Sequence, residues 1–283
     1  ELERIEKFEN ERLFETLKKE LEKRNFMVID KSDIRLEIPI TPKDSMISLI
    51  NKIKPYKTDK KLIRLGGKSD GGYLVPDDLD NIDACFSPGV DQVSEFEYDC
   101  YKRGMKLFLA DKSVIKPNLN IDKTNYSFLK KYIGCSNNEN FITMDEWVKK
   151  SKIDHKADLM LQMDIEGGEF FTLINTSDAL LKQFRIIVIE FHNLQWLWNH
   201  EFFKLNETIF DKLLQTHTCV HIHPNNCCGV DKRLGVEIPK VAEFTFLRND
   251  RVKQKSRFKN FPHKLDYDNT KNPHIALPTS WYR

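Results

Sequence analysis

Hydrophobic positions follow two rhythms along this chain. Residues 2–24 set Leu2, Ile5, Phe8, Leu13, Leu17 and Leu21 among Glu and Lys, with no Gly or Pro. Spacings of three to five predict an amphipathic helix there. A linker carrying Pro39, Pro42 and Pro55 follows, interrupted by a helix expected over 44–53. From residue 82 onward, short apolar runs alternate with helical stretches. "IDACFSPG" predicts a strand, "SEFEYDCYKRG" a helix that Gly104 can end, and "MKLFLAD" a second strand. Residues 124–132 are expected to be helical, "KYIGCS" a short strand, and "TMDEWVKKS" a helix with a Thr cap and an acidic first turn. Strand "ADLMLQMDI", helix "GEFFTLIN", a short helix over 177–183, strand "RIIVIEFH" and helix 201–215 come next. Strands "TCVHIH" and "VAEFTFLR" close the series.

Strands that read as continuous apolar runs between helices are buried on both faces, which predicts a mainly parallel sheet covered on both sides. No helix separates the last two strands, so they are expected to pair antiparallel at the edge. The resulting layout is an N-terminal helical extension and linker (1–60), an α/β domain (61–250) and a polar tail packing on it (251–283).

Composition bounds the function. Of 283 residues, 40% are hydrophobic and 31% charged, enough for a real core. Lys+Arg 45 against Asp+Glu 43 gives a net charge of +2, so no basic field points to nucleic acid. Basic clusters at 52–64 and 251–264 are diluted by acids and aromatics and read as solvated faces, with a polyanion patch as the alternative. No apolar run approaches the ~20 residues of a membrane span. Six cysteines without framework spacing read as reduced thiols, which makes the cytoplasm the expected location. The start lacks a Met and a signal-peptide pattern, as expected for a piece of a longer protein.

Ligands of doubly wound sheets bind at the carboxyl ends of the strands, so the residues there are the candidates. Gly89 follows the first strand and permits a tight turn, but it is not a full G-x-G-x-x-G fingerprint. Asp111 ends the second strand, where an acid accepts ribose hydroxyls in nucleoside-binding folds; an ordinary turn cap is the alternative. Asp164 ends the central "LMLQM" strand before Gly167-Gly168. Glu166 and Glu169 read as acids answering a helix N-terminus. Glu190 and His192 share a strand face, so a carboxylate can support an imidazole. "HIHPNNCCG" offers His221, His223, Asn225, Asn226 and two cysteines. Adjacent cysteines fit one tetrahedral zinc poorly, so a polar loop for a hydroxylated ligand is favoured over a metal site. "IRLGGKSDGGYLVP", outside any regular element in this reading, offers Asp70, Gly71 and Tyr73 on a loop whose backbone can close on a ligand.

"RLGGKSDGGYLV", "FSPGVDQVSEFEYDCYKRGMKLFLAD", "LQMDIEGGEFFTL", "VIEFH" and "HIHPNN" occur in this order. Together they resemble the FkbM-type branch of the S-adenosylmethionine-dependent methyltransferases, across residues 62 to 248. The resemblance implies a Rossmann-like class I methyltransferase fold, with a seven-stranded, mostly parallel sheet and an antiparallel terminal strand. It implies S-adenosylmethionine as methyl donor and O-methylation of a sugar or glycan hydroxyl. Gly89 would then lie against the amino-acid part of the cofactor, with Ser87, Asp70 and Gly71 nearby, Asp111 at the ribose and Asp164 at the methionine end.

The expected base is His192 supported by Glu190, with Asp164 as the alternative. His223, Asn225, Asn226 and Tyr73 are expected at the acceptor. Mg²⁺ on Asp164 and Glu190 is a further alternative. Fusion to or association with a glycosyltransferase, and an oligomer, stay open. So does a non-catalytic module that binds a nucleoside or glycan.

Overall fold

The computed structural model describes residues 40–90, 93–258 and 260–283; the helix expected over 2–24 lies outside the described residues. Helix α1 (Lys43–Ile53) is followed by β1 (Tyr56–Thr58), β2 (Leu62–Leu65), β3 (Tyr73–Pro76), β4 (Ala84–Pro88), α2 (Glu95–Lys102) and β5 (Lys106–Ala110). Then come β6 (Tyr126–Leu129), β7 (Tyr132–Ile133), β8 (Phe141–Ile142), α3 (Met144–Ser151), β9 (Leu159–Met163), α4 (Glu169–Asn175) and α5 (Asp178–Gln183). The chain continues through β10 (Phe184–Phe191), α6 (His200–Thr216), β11 (His217–Pro224), β12 (Val230–Arg233), β13 (Val236–Pro239), β14 (Ala242–Arg248) and β15 (Lys255–Arg257).

Seven strands form the central sheet in the order β11-β14-β10-β9-β4-β5-β6. The pairs β4–β5, β5–β6, β4–β9 and β9–β10 are parallel, while β14 runs antiparallel to both β10 and β11. The chain winds outward from β4 through β6, then crosses back to β9 on the other side of β4. That reversal opens a crevice at the carboxyl ends of β4 and β9.

Alternation along the strands feeds two cores. Phe86 on β4 and Leu159, Leu161 and Met163 on β9 face one layer, while Cys85 and Met160 face the other. On β10 a register shift between Phe184 and Ile186 resets the parity. Phe184, Ile187, Ile189 and Phe191 therefore share the first layer, with Ile186 and Val188 in the second. Helix α6 lays Phe203, Ile209, Phe210 and Leu213 on that first layer, and the Asn199 side chain caps it by accepting the Phe202 amide at 3.0 Å.

Four features depart from the sequence reading. Residues 126–129 form an edge strand against β5 rather than a helix, because Tyr-Ser-Phe-Leu pairs in register with Leu107–Ala110. The Gly-rich stretch is the turn of an antiparallel β2–β3 hairpin, clasped by Arg64, whose Nε donates to Gly67 O (2.5 Å) and Nη2 to Ser69 O (3.0 Å). A β12–β13 hairpin occupies the connection between the last two sheet strands. The compact unit is residues 40–283, since α1 contributes Met46, Leu49, Ile50 and Ile53 to the first core and the tail adds Leu277, Trp281 and Tyr282. The two basic clusters meet where β1 pairs with β15. Among the described residues no helix is long and apolar enough to cross a membrane.

Phe191 stacks on Phe170 at 5.2 Å and meets Phe210 at 5.1 Å and Phe244 at 5.3 Å, joining α4, α6 and β14 to β10. Phe191→Ala is expected to cost about 3–5 kcal/mol in denaturant unfolding. Ile115→Ala, at an 84% exposed position, should stay within about 0.5 kcal/mol of the parent.

Candidate active site

A cavity of about 590 Å³ opens at the crevice, with Gly89, Ala110, Asp111, Ile133, Phe141 and Asp164 on its walls. Larger space exists beside the β1–β15 ribbon (about 810 Å³), but its walls include lysines, Tyr56, Val220, Phe258 and His263 and none of the residues at the carboxyl ends of β4, β5 and β9. Gly89 is obligatory where it stands: its φ is +83°, and a Cβ would lie 1.5 Å from the Asp164 carbonyl oxygen. That close approach brings the ends of β4 and β9 together. Asp111 Oδ1 accepts the Ser113 amide (2.7 Å) and hydroxyl (2.6 Å), which fixes the carboxylate on the cavity wall. Asp70, Gly71 and Tyr73 line the same space from the hairpin side.

Beneath the cavity runs a chain of donors. Ser87 Oγ lies 2.5 Å from Glu97 Oε1 and 2.6 Å from Gln162 Oε1, yet a hydroxyl carries one proton. Burial pushes Glu97 up to about 7 and the Ser87 hydrogen bond pulls it back, so the one hydroxyl proton is shared between the two acceptors. Gln162 Nε2 donates to Tyr73 Oη (3.3 Å), and Tyr73 to Asp164 Oδ2 (3.4 Å). Ser87 is fully buried and does not reach the cavity wall; it belongs to this relay, as does Tyr73.

The relay leaves Asp164 Oδ1 turned toward His192, 3.9 Å from Nε2. Glu190 Oε1 lies 3.7 Å and Glu166 Oε2 3.4 Å from the same nitrogen. Strand alternation does bring Glu190 beside His192, but the carboxylate that hydrogen-bonds the ring is Glu169, at 3.2 Å from Nδ1. Glu169 Oε1 also accepts the amides of Ile165 and Gly167, each at 3.1 Å. Glu169 therefore ties the turn before α4 rather than capping that helix alone. Glu166 sits at φ +56° with an 86% exposed side chain and faces His192.

Electrostatics follow from crowding. Burial, only partly offset by the His192 charge, pushes Asp164 up to about 7, although 24% of its side chain still faces the cavity. Burial and the neighbouring Asp164 and Glu243 charges hold Glu190 well above the usual carboxylate range. Burial pulls His192 down, but the Glu169 hydrogen bond and the surrounding carboxylates outweigh it and leave the ring raised.

The candidates on β11 and beyond have other work. Asn225 Nδ2 donates to Glu190 Oε1 (2.9 Å), so it positions a carboxylate. Asn226 is committed to the tail: Nδ2 donates to Thr270 O (3.1 Å) and Asn272 O (2.7 Å), and Oδ1 accepts the Thr270 amide (2.8 Å). His223 is 3% exposed and pulled down by burial, with Nδ1 3.8 Å from Asp266. None of the three lines the cavity. Glu243, absent from the sequence reading, stands opposite Glu190 on β14. Asn269 bridges it to Asp70, donating at 2.7 Å and 3.0 Å. Its signal in the sequence was a lone acid inside an apolar strand.

A doubly wound sheet with one reversed strand, and a cavity with acids at its switch point, defines a Rossmann-like α/β methyltransferase fold. Residues 112–216 match the family model for the methyltransferase FkbM domain. Over this stretch the match supports the FkbM-type methyltransferase family. The match begins just after Asp111 and includes Asp164, Glu169, Glu190 and His192; Gly89 and Glu243 fall outside it. No curated protein matches the chain.

Glu97 and Glu243, held by burial at about 7 and about 8, keep protons that the unfolded chain releases near pH ~4.3. Between those values the folded state binds more protons, so stability falls as pH rises. The thermal midpoint of the ligand-free chain should drop between about pH 5 and pH 8, and Glu243→Gln should flatten part of that drop. A midpoint constant across this range would contradict the assignment. In Glu169→Gln, the His192 ring should titrate at lower pH than in the parent, read by nuclear magnetic resonance.

Proposed function

We propose that this chain is an S-adenosylmethionine-dependent O-methyltransferase acting on a sugar or glycan hydroxyl. The observation that carries the reading is the meeting of two features at one crevice: a cavity walled by Gly89 and Asp111, and the Asp164–Glu190–His192 cluster at its carboxyl edge. When bound, the cofactor supplies a methyl group on a sulfonium, which an acceptor oxygen displaces to leave a neutral thioether.

Several residues fit such a ligand. Gly89 leaves backbone room for the amino-acid part, Asp111 offers a carboxylate to ribose hydroxyls, and Tyr132, Ile133 and Phe141 give an apolar wall suited to a purine. The acids around Asp164 favour a sulfonium cation over the neutral product, which promotes exchange after reaction. A sugar hydroxyl is a poor nucleophile and must lose its proton as the new bond forms. Asp164 and Glu166 each lie within 4 Å of His192 Nε2, at 3.9 and 3.4 Å, and Glu169 holds the imidazole in place. The sugar assignment draws on the FkbM resemblance. Six free thiols fit a reducing compartment, and we place the reaction in the cytoplasm.

The test is calorimetry with S-adenosylmethionine, followed by transfer of a labelled methyl group to a panel of sugars and oligosaccharides. Saturable binding is expected, and Asp111→Asn should weaken it roughly 10–100-fold without shifting the thermal midpoint. Absence of binding would overturn the reading. Binding without transfer to any acceptor would favour a non-catalytic nucleoside- or glycan-binding module.

A further inference from the structure

At the carboxyl ends of β9 and β10, proton donors run out before acceptors do. Glu169 Oε1 already accepts two backbone amides, so it is an acceptor toward His192 as well, and Nδ1 carries the donated hydrogen. In its neutral form the ring then presents a lone pair at Nε2. What Nε2 faces is a set of further acceptors: Glu166 at 3.4 Å, Glu190 at 3.7 Å and Asp164 at 3.9 Å. Asp164 Oδ1 and Glu190 Oε2 are buried without a hydrogen-bond partner, and Glu190 is only 3% exposed. Among the described residues, His192 is the one basic side chain paired with either acid. A lone pair and two carboxyls turned toward one another form a pocket in which a bound cation can take the place of their protons.

The dimensions suit one. One ligand atom from each of Asp164, Glu190 and His192 lies within 4.8 Å of the other two. With separations of 3.7 and 3.9 Å from Nε2, a point equidistant from all three is no more than about 2.5 Å from each. A small inward movement reaches the bond lengths of a divalent ion. Of the three, Asp164 is on the cavity wall.

We propose that Asp164, Glu190 and His192 form a binding site for a divalent cation, with Glu169 as the residue that orients the imidazole ligand. Two carboxylates and one imidazole select an ion of mixed oxygen and nitrogen preference, so Mn²⁺ suits the site better than the Mg²⁺ expected from carboxylates alone. Asn225 steadies Glu190 from behind, as Glu169 steadies His192. The catalytic consequence rests on the methyltransferase reading. An acceptor hydroxyl on an open position of the cation becomes more acidic, and the exposed Glu166 carboxylate beside Nε2 takes its proton.

The experiment uses the full chain with Mn²⁺ alone, without cofactor or acceptor. Electron paramagnetic resonance should show free Mn²⁺ depleted by one equivalent of protein, and spin-echo modulation should reveal a directly bound imidazole nitrogen. Glu190→Gln and His192→Ala should each weaken binding at least tenfold, and Glu169→Gln roughly 10–100-fold. Absence of depletion at millimolar protein, or a Mn²⁺ signal without imidazole nitrogen, would overturn the proposal even if a variant fails to fold. Because neither readout needs S-adenosylmethionine, failure here leaves the methyl-transfer reading standing, and failure of cofactor binding leaves the cation site standing.

Discussion

Glu169 has no exposed surface, yet its carboxylate gathers the Ile165 and Gly167 amides and the His192 ring into one knot. A buried carboxylate is costly unless hydrogen bonds satisfy it, so this one dictates where its donors stand. The turn from β9 into α4 takes its shape from that demand, with Glu166 and Gly167 both forced to positive φ. Because the turn is fixed, Asp164 is held at the mouth of the sheet. Because the ring is fixed, Nε2 faces Asp164 and Glu190 rather than solvent. The crevice thus takes its geometry from a carboxylate that has no exposed surface.

Around that knot the fold collects acids that a small protein usually keeps in water. Glu190 and Glu243 face each other across β10 and β14, and the reversed strand is what puts the second one there. Asn225 answers Glu190 and Asn269 answers Glu243, each with a single amide hydrogen bond. A core of stacked aromatics around Phe191 and Phe244 supports both strands directly beside these acids. The stability of the apolar layers thus offsets a site whose carboxyls burial holds above the usual carboxylate range.

The sheet was largely legible in the sequence because its strands are buried on both faces and read as unbroken apolar runs. Asp164, Glu190 and His192 were legible too, since strand order and alternation bring them to one edge. The misreadings have physical causes. Tyr126–Leu129 is too short to display a period, and its pairing with β5 overrides local preference. Glu169 looked like a helix cap because an acid at a helix start ordinarily is one; its partner lies on another strand. Ser87 looked like a ligand contact, but Gln162 and Glu97 draw it into a buried relay that only the folded sheet assembles, with Tyr73 joining that relay from the cavity wall. Glu243 and Asn269 take their meaning from register and from the returning tail, which no local pattern encodes.

The central claim is that the cavity between Gly89 and Asp111 receives the cofactor with its sulfur toward Asp164. A crystal structure of the chain grown with S-adenosylhomocysteine tests it most directly. The account predicts density for the amino-acid part beside Gly89, ribose hydroxyls on Asp111 and the thioether at the Asp164 end. An empty cavity at saturating ligand, or density confined to another surface, would contradict it.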